Sequence, residues 1–346
     1  MTATMTAIRK PLTAAGCAAA LLAGAAACGT VESLTAGQKV DQAVEGLGEQ
    51  KSLSFELGLH AKPSALTKLA GEAEPGEEMP PELAEFFAGM RVKVSVESKK
   101  PLADSGEKDL VGAGVQVSGA DGVLAEYRVV GDFTYYRADM KALGDVMGVP
   151  FPTVDELPES EKELKKVLEG KWVKVDNSEL EQSVKGTPGL DGSDEIDTKT
   201  QQKILKAVRG VFAREVTFSS KGTSDGTERI VAKASFRDLL TGVFDKLRPL
   251  ADDLPKGTDL PTDKDLKDAP DKKIAVNFSL KNGDLTRVSV DLAALADDAK
   301  GARLPLVLTF GKASDVSAPS DATEVPAGDF MGPGNPFTGG MLLGGF

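Results

Sequence analysis

Stretches in which apolar residues occupy every second position recur along most of this chain, and that pattern leaves few architectures open. Leu53, Phe55, Leu57 and Leu59 alternate with Ser54, Glu56, Gly58 and His60. Val92, Val94 and Val96 repeat the pattern, as do Ile274, Val276, Phe278 and Leu280, and Leu304, Leu306, Leu308 and Phe310. A period of two puts each set on one face of a strand, so each stretch reads as a strand with one buried face. Further strands are expected over 111–117, 123–130, 133–137, 171–175, 215–219, 228–234 and 285–292. The junctions carry hairpin chemistry: Gly119-Ala120-Asp121-Gly122, Gly131-Asp132, Ser224-Asp225-Gly226 and Asn282-Gly283. Short links of this kind join antiparallel neighbours.

A sheet with one apolar face needs a cover, and the helical-period stretches supply it. Val40, Ala43, Val44 and Leu47 form one stripe, closed by Gly48. Ile204, Leu205, Val208, Val211 and Phe212 form the clearest one, opened by Thr198-Lys199-Thr200-Gln201, and Leu239, Leu240, Val243, Phe244 and Leu247 form another that stops before Pro249. Shorter helices are expected over 82–88 and 140–147 and after a capping box at Ser160-Glu161-Lys162-Glu163. The rest of 62–90 reads as loop, 177–197 as an internal linker, and 251–271 as an acidic, proline-bearing loop long enough to be a lid or excursion. The sum is an α+β fold: a large curved antiparallel sheet with amphipathic helices packed on one face.

The chain begins with a different signal. Arg9 and Lys10 precede an uncharged Ala- and Leu-rich run over 12–27, which ends in small residues and Cys28-Gly29. A basic start, a short apolar run and a small-residue cleavage point describe a secretory signal. With a cysteine next, the segment resembles the lipobox of bacterial lipoproteins, which implies acylation of Cys28 and cleavage before it. Ala25 stands where that pattern most often has Leu. Cleavage at Cys17 would leave too short an apolar run, and 12–27 falls short of the roughly 20 residues of a spanning helix. The expected organisation is a signal peptide over 1–27, a lipidated tether over 28–37, a single domain over 38–326 and a disordered tail over 327–346, rich in Gly, Met and Phe without period. The expected location is the extracytoplasmic face of the cell membrane, held by the lipid anchor.

Fifty-three acidic against 41 basic residues give a net charge of −12, and loss of Arg9 and Lys10 makes the mature chain more acidic still. Such a surface repels phosphate backbones and anionic headgroups, which argues against nucleic acid as a partner and against docking through a basic patch. With Cys28 acylated and Cys17 removed no thiol remains, so the chain has no disulfide framework or thiolate metal site. Gly222-Thr223-Ser224-Asp225-Gly226 fits the serine-esterase pattern, but it falls between two strands, where Asp-Gly makes a hairpin rather than a nucleophile elbow. The single histidine, His60, reads as a surface residue at a strand end, and Asp191-Gly192-Ser193-Asp194-Glu195 lacks the spacing of a calcium loop. No enzyme activity, cofactor or metal is expected.

Several segments together resemble the actinobacterial LppX/LprG lipoprotein family: Ser52-Leu53-Ser54-Phe55-Glu56-Leu57, Gly131-Asp132-Phe133-Thr134-Tyr135-Tyr136-Arg137, Gly170-Lys171-Trp172-Val173-Lys174-Val175 and Asn282-Gly283-Asp284-Leu285-Thr286-Arg287-Val288. The strand over 304–310 with Val316-Ser317-Ala318-Pro319 behind it adds to the likeness. The resemblance implies a half-barrel similar to the LolA/LolB carriers, holding acyl chains of a lipid or glycolipid between sheet and helices and transporting it in the cell envelope. The lining it implies is Leu53, Phe55, Leu57, Phe133, Tyr135, Val208, Phe212, Phe244, Phe278 and Leu306. The alternative is a non-catalytic structural or sensor-accessory envelope lipoprotein with no small ligand.

Overall fold

The structure, a computed structural model, describes residues 34–70, 79–148, 151–159, 162–184, 198–254, 260–296, 301–311 and 316–327. The expected signal segment, Cys28, the opening Ser160-Glu161 of the expected capping box, the acidic loop at Asp191 and residues 328–346 lie outside them.

The strands are β1 (Ser52–Leu59), β2 (Arg91–Ser98), β3 (Leu110–Ser118), β4 (Val123–Val130), β5 (Phe133–Ala138), β6 (Val173–Asp176), β7 (Thr217–Ser224), β8 (Thr227–Ser235), β9 (Lys273–Lys281), β10 (Asp284–Asp291), β11 (Pro305–Gly311) and β12 (Thr323–Glu324). They form one curved, unclosed sheet in the order β12-β6-β5-β4-β3-β2-β1-β11-β10-β9-β8-β7. Every pairing is antiparallel except β12 with β6. This is the expected α+β class. Two hairpins show why their turn residues were chosen: Asp225 and Gly226 have φ of 51° and 73°, and Asn282 and Gly283 have 55° and 92°. Positive φ at both central positions is the turn that matches strand twist, and Asn, Asp and Gly adopt it at least cost.

Register decides which side chains share a face. Phe55 lies opposite Val94, Val94 opposite Val115, Val115 opposite Tyr127, Tyr127 opposite Tyr136, and Tyr136 opposite Val173. In the other direction Leu57 faces Leu308, Leu308 faces Val288, Val288 faces Phe278, and Phe278 faces Ile230. This common face is the inner one, because the helices pack on it.

Helix α1 (Ala36–Glu49) opens with a capping box, in which the Gln38 amide donates to Thr35 Oγ1 at 3.3 Å and the Thr35 amide to Gln38 Oε1 at 2.9 Å. Its stripe of Val40, Ala43, Val44 and Leu47 is buried against Leu53, Ile230, Phe278, Leu280 and Leu285. Lys39 ties the helix to Glu228 of β8 at 2.9 Å. Helices α2 (Pro63–Ala70) and α3 (Pro81–Gly89) connect β1 to β2. Beyond β5 come α4 (Met140–Met147), α5 (Lys162–Leu168) and, after β6, α6 (Asn177–Val184). They contribute Met140, Val167 and Leu180 to a second cluster with Ala125, Tyr136, Val173 and Val175. Helices α7 (Thr198–Glu215) and α8 (Phe236–Leu247) form a third around Val211, Ala234 and Leu239, and α9 (Asp263–Asp268) precedes β9.

Three loop expectations are corrected. Residues 63–70 are helical where loop was expected. The polar linker expected over 177–197 begins with α6, whose Leu180 is buried and whose first turn is held by Asp176 Oδ1, accepting from the Ser178 amide at 2.8 Å. The loop expected over 251–271 holds a 3-10 turn (Arg248–Asp253) and α9. Thr262 and Asp265 cap α9 reciprocally, and its Leu266 is buried.

The chain after β11 reaches the far edge of the sheet along the outer face. Val316 lies over Gly112 and Gly114 of β3, where a Cβ on Gly112 would come within 3.0 Å of the Val316 carbonyl oxygen. Arg128 Nη1 donates to the Ser317 carbonyl at 2.9 Å. The Thr323 and Val325 amides then donate to the carbonyls of Trp172 and Lys174, forming β12 beside β6. Val325 and Ala327 end in the inner-face cluster. This strap therefore passes around the sheet edge from outside to inside.

Candidate functional site

The inner face is sealed at its flanks and not in its middle. Under α1 the apolar side chains are buried, and under α4, α5 and α6 they are buried again. Between these clusters Phe55, Val92, Val94, Val115, Val117, Leu306, Leu308 and Val290 are only half-buried. Leu57 is 36% exposed, whereas Leu53, four residues earlier on the same face of the same strand, is 7% exposed. Closed protein interiors pack as densely as organic crystals, and central positions of a covered sheet are where burial should be greatest. Here the order is inverted, so the inner face is less buried at the sheet's middle than at its flanks. The result is a groove floored by β3, β2, β1, β11 and β10, with no charged side chain in its inner rows.

Of the residues expected to line a cavity, Phe55, Leu57 and Leu306 stand together on this floor. Leu53 and Phe278 belong instead to the packed core under α1, and Val208 of α7 is 5% exposed. Phe212 and Phe244 are half-buried on α7 and α8. Phe133 and Tyr135 are a correction. Register puts Thr134, Tyr136 and Ala138 of β5 on the inner face, so Phe133 and Tyr135 point outward. There they join a stacked cluster, with Lys174 Nζ 4.3 Å above the Phe133 ring and the Arg128 and Arg137 guanidinium carbons 4.9 and 4.8 Å from the Trp172 ring centre. Both arginines also donate to the buried Glu126 carboxylate, Arg128 Nε at 2.8 Å and Arg137 Nη2 at 2.7 Å. Aromatic bulk went outward because cations are there to cover it. Val92, Val94, Val115 and Val290 were missed as lining. Their alternation was visible, but which strands lie at the centre depends on sheet order.

The remaining chemistry does not converge. Ser224 Oγ donates to its neighbour Asp225 at 3.2 Å, while His60 stands at the end of β1 with β11, β10, β9 and β8 between them. His60 is exposed, and partial burial, then Arg91 and Arg287, hold its pKa below the ordinary value. Among the described residues no group of three or more His, Cys, Asp or Glu is placed to hold a metal, and no helix is long and apolar enough to cross a membrane.

No protein family matches the chain, and no curated protein does. Among solved structures it is similar to the Mycobacterium tuberculosis lipoprotein LppX, at 13% identity over 81% of this chain and 96% of that one, with a TM-score of 0.30. A likeness at that score carries no weight for family or function, and the fold rests on the strand order above.

Proposed function

We propose that this chain is a lipid-anchored envelope protein that holds acyl chains of a lipid or glycolipid in the groove over β1 and β11 and carries it in the cell envelope. The carrying observation is the inverted burial along β1, with Leu53 sealed and Leu57 open. A chain lying on this floor would gain about 0.8 kcal/mol per methylene buried, so ten methylenes supply about 8 kcal/mol, a micromolar affinity before ordering costs. Because the floor offers no charge, a headgroup stays at the groove margin in water. The lipobox-like ending at Cys28 supports the anchor, and the short segment over 29–35 ahead of α1 limits the domain to within about 25 Å of the bilayer at about 3.5 Å per residue.

The test is organic extraction and mass spectrometry of protein produced from Gly29 onward, so that no anchor lipid contributes. Lipid near one molecule per chain is expected. An extract without lipid, and no binding of added lipid, would return the chain to the reading of a structural or sensor-accessory lipoprotein.

A further inference from the structure

We propose that residues 328–346 dock in the groove of their own chain and compete there with acyl chains. The inference rests on the acyl-chain reading and adds a regulator to the same site. The strap rounds the β6 edge and leaves Val325 and Ala327 buried in the inner-face cluster, so the described chain ends on the groove's side of the sheet. From β6 to β1 is five strand spacings, about 24 Å at about 4.8 Å each. The nineteen residues beyond Ala327 span up to about 60 Å extended, so they reach with chain to spare.

The chemistry fits as well as the reach. In a chain of net charge −12 this segment has one charged side chain, Asp329, and its apolar residues include Met341-Leu342-Leu343 and Phe346. The glycines flanking them leave no amphipathic element that could bury them locally. The groove is uncharged, apolar and half-open. A tethered segment meets it at an effective concentration on the order of millimolar, so even a weak contact competes with a free ligand.

The test compares protein from Gly29 onward with the same protein carrying Leu342→Asp and Leu343→Asp, titrated with cis-parinaric acid. The variant should bind the probe about ten-fold more tightly, and a synthetic peptide of residues 328–346 should displace probe from it. Equal affinities with no displacement would overturn the inference and leave the groove reading standing. Equal affinities with loss of vesicle binding in the variant, on phosphatidylglycerol vesicles, would overturn it in favour of a membrane contact. If neither protein binds the probe, the acyl-chain reading fails and the inference falls with it.

Discussion

Truncating Leu53 and Leu57 to alanine, one at a time, separates a packed core from a groove. The two share a strand and a face, and they differ in exposure, 7% against 36%. Leu→Ala deletes three carbons, worth about 2.4 kcal/mol at about 0.8 kcal/mol each when fully buried. At Leu53 the neighbours under α1 are fixed on all sides, so a cavity remains and the loss should reach about 3–4 kcal/mol. At Leu57 about two-thirds of that transfer applies, and the vacated space already opens on the groove, so about 1–1.5 kcal/mol is expected. Urea unfolding measures both, with an unchanged m value as the check that the two-state comparison holds. In parallel, Leu57→Ala should weaken cis-parinaric acid binding and Leu53→Ala should not. Equal losses near 3 kcal/mol would mean that Leu57 is as closely packed as Leu53 and that there is no groove at this point.

Glu126→Gln removes the charge that two arginines share, and should cost about 1–3 kcal/mol. It should also shift the emission of Trp172, the single tryptophan, because the guanidiniums over its ring lose their anchor. Lys39 donates to Glu228 at 2.9 and 3.0 Å and holds its carboxyl below the ordinary value of 4.5. A depressed carboxylate stabilises the fold above its unfolded pKa and loses that contribution as pH falls through the folded one. Wild type and Lys39→Met should therefore differ in urea midpoint near neutrality and converge as the pH falls below 4.5 and through the lowered folded value. Cys28→Ala should move the protein from the membrane fraction to the soluble one, since stable anchoring needs more than one acyl chain; fractionation and immunoblotting decide it.

Most strands were legible because period-two alternation and Asx-Gly turns are local. The fold class followed from them. What local pattern could not supply was the face that each strand presents. In β5 the row Phe133 and Tyr135 is more aromatic than Thr134, Tyr136 and Ala138, and aromatic bulk alone points inward. Its true direction depends on Trp172, Lys174, Arg128 and Arg137, which come from β4, β5 and the β6 segment and meet only when those strands pair. Helix α6 was missed because Leu180 and its last residue, Val184, are its only apolar side chains; it is held by Leu180 in the cluster over β6, by Asp176 at its first turn and by the buried Thr134 hydroxyl donating to Asn177 Oδ1 at 2.7 Å, contacts that form only when the chain is folded. The half-burial at the centre of the sheet was not legible, because it depends on strand order and on where the helices pack.

The junction of β1 with β11 bears on how the chain acquires this structure. Ser54 lies beside Gly311, and Leu59 beside Leu306, so the first strand finds one of its two partners only after nearly the whole polypeptide exists. Closing so large a loop precedes any gain from the contacts it makes, and topologies of this kind fold slowly. A polypeptide synthesised from its amino end thus presents β1 with an open edge until β11 emerges. Under the export proposed above, that delay keeps the chain loose enough to be threaded across a membrane, with the sheet completed on the other side.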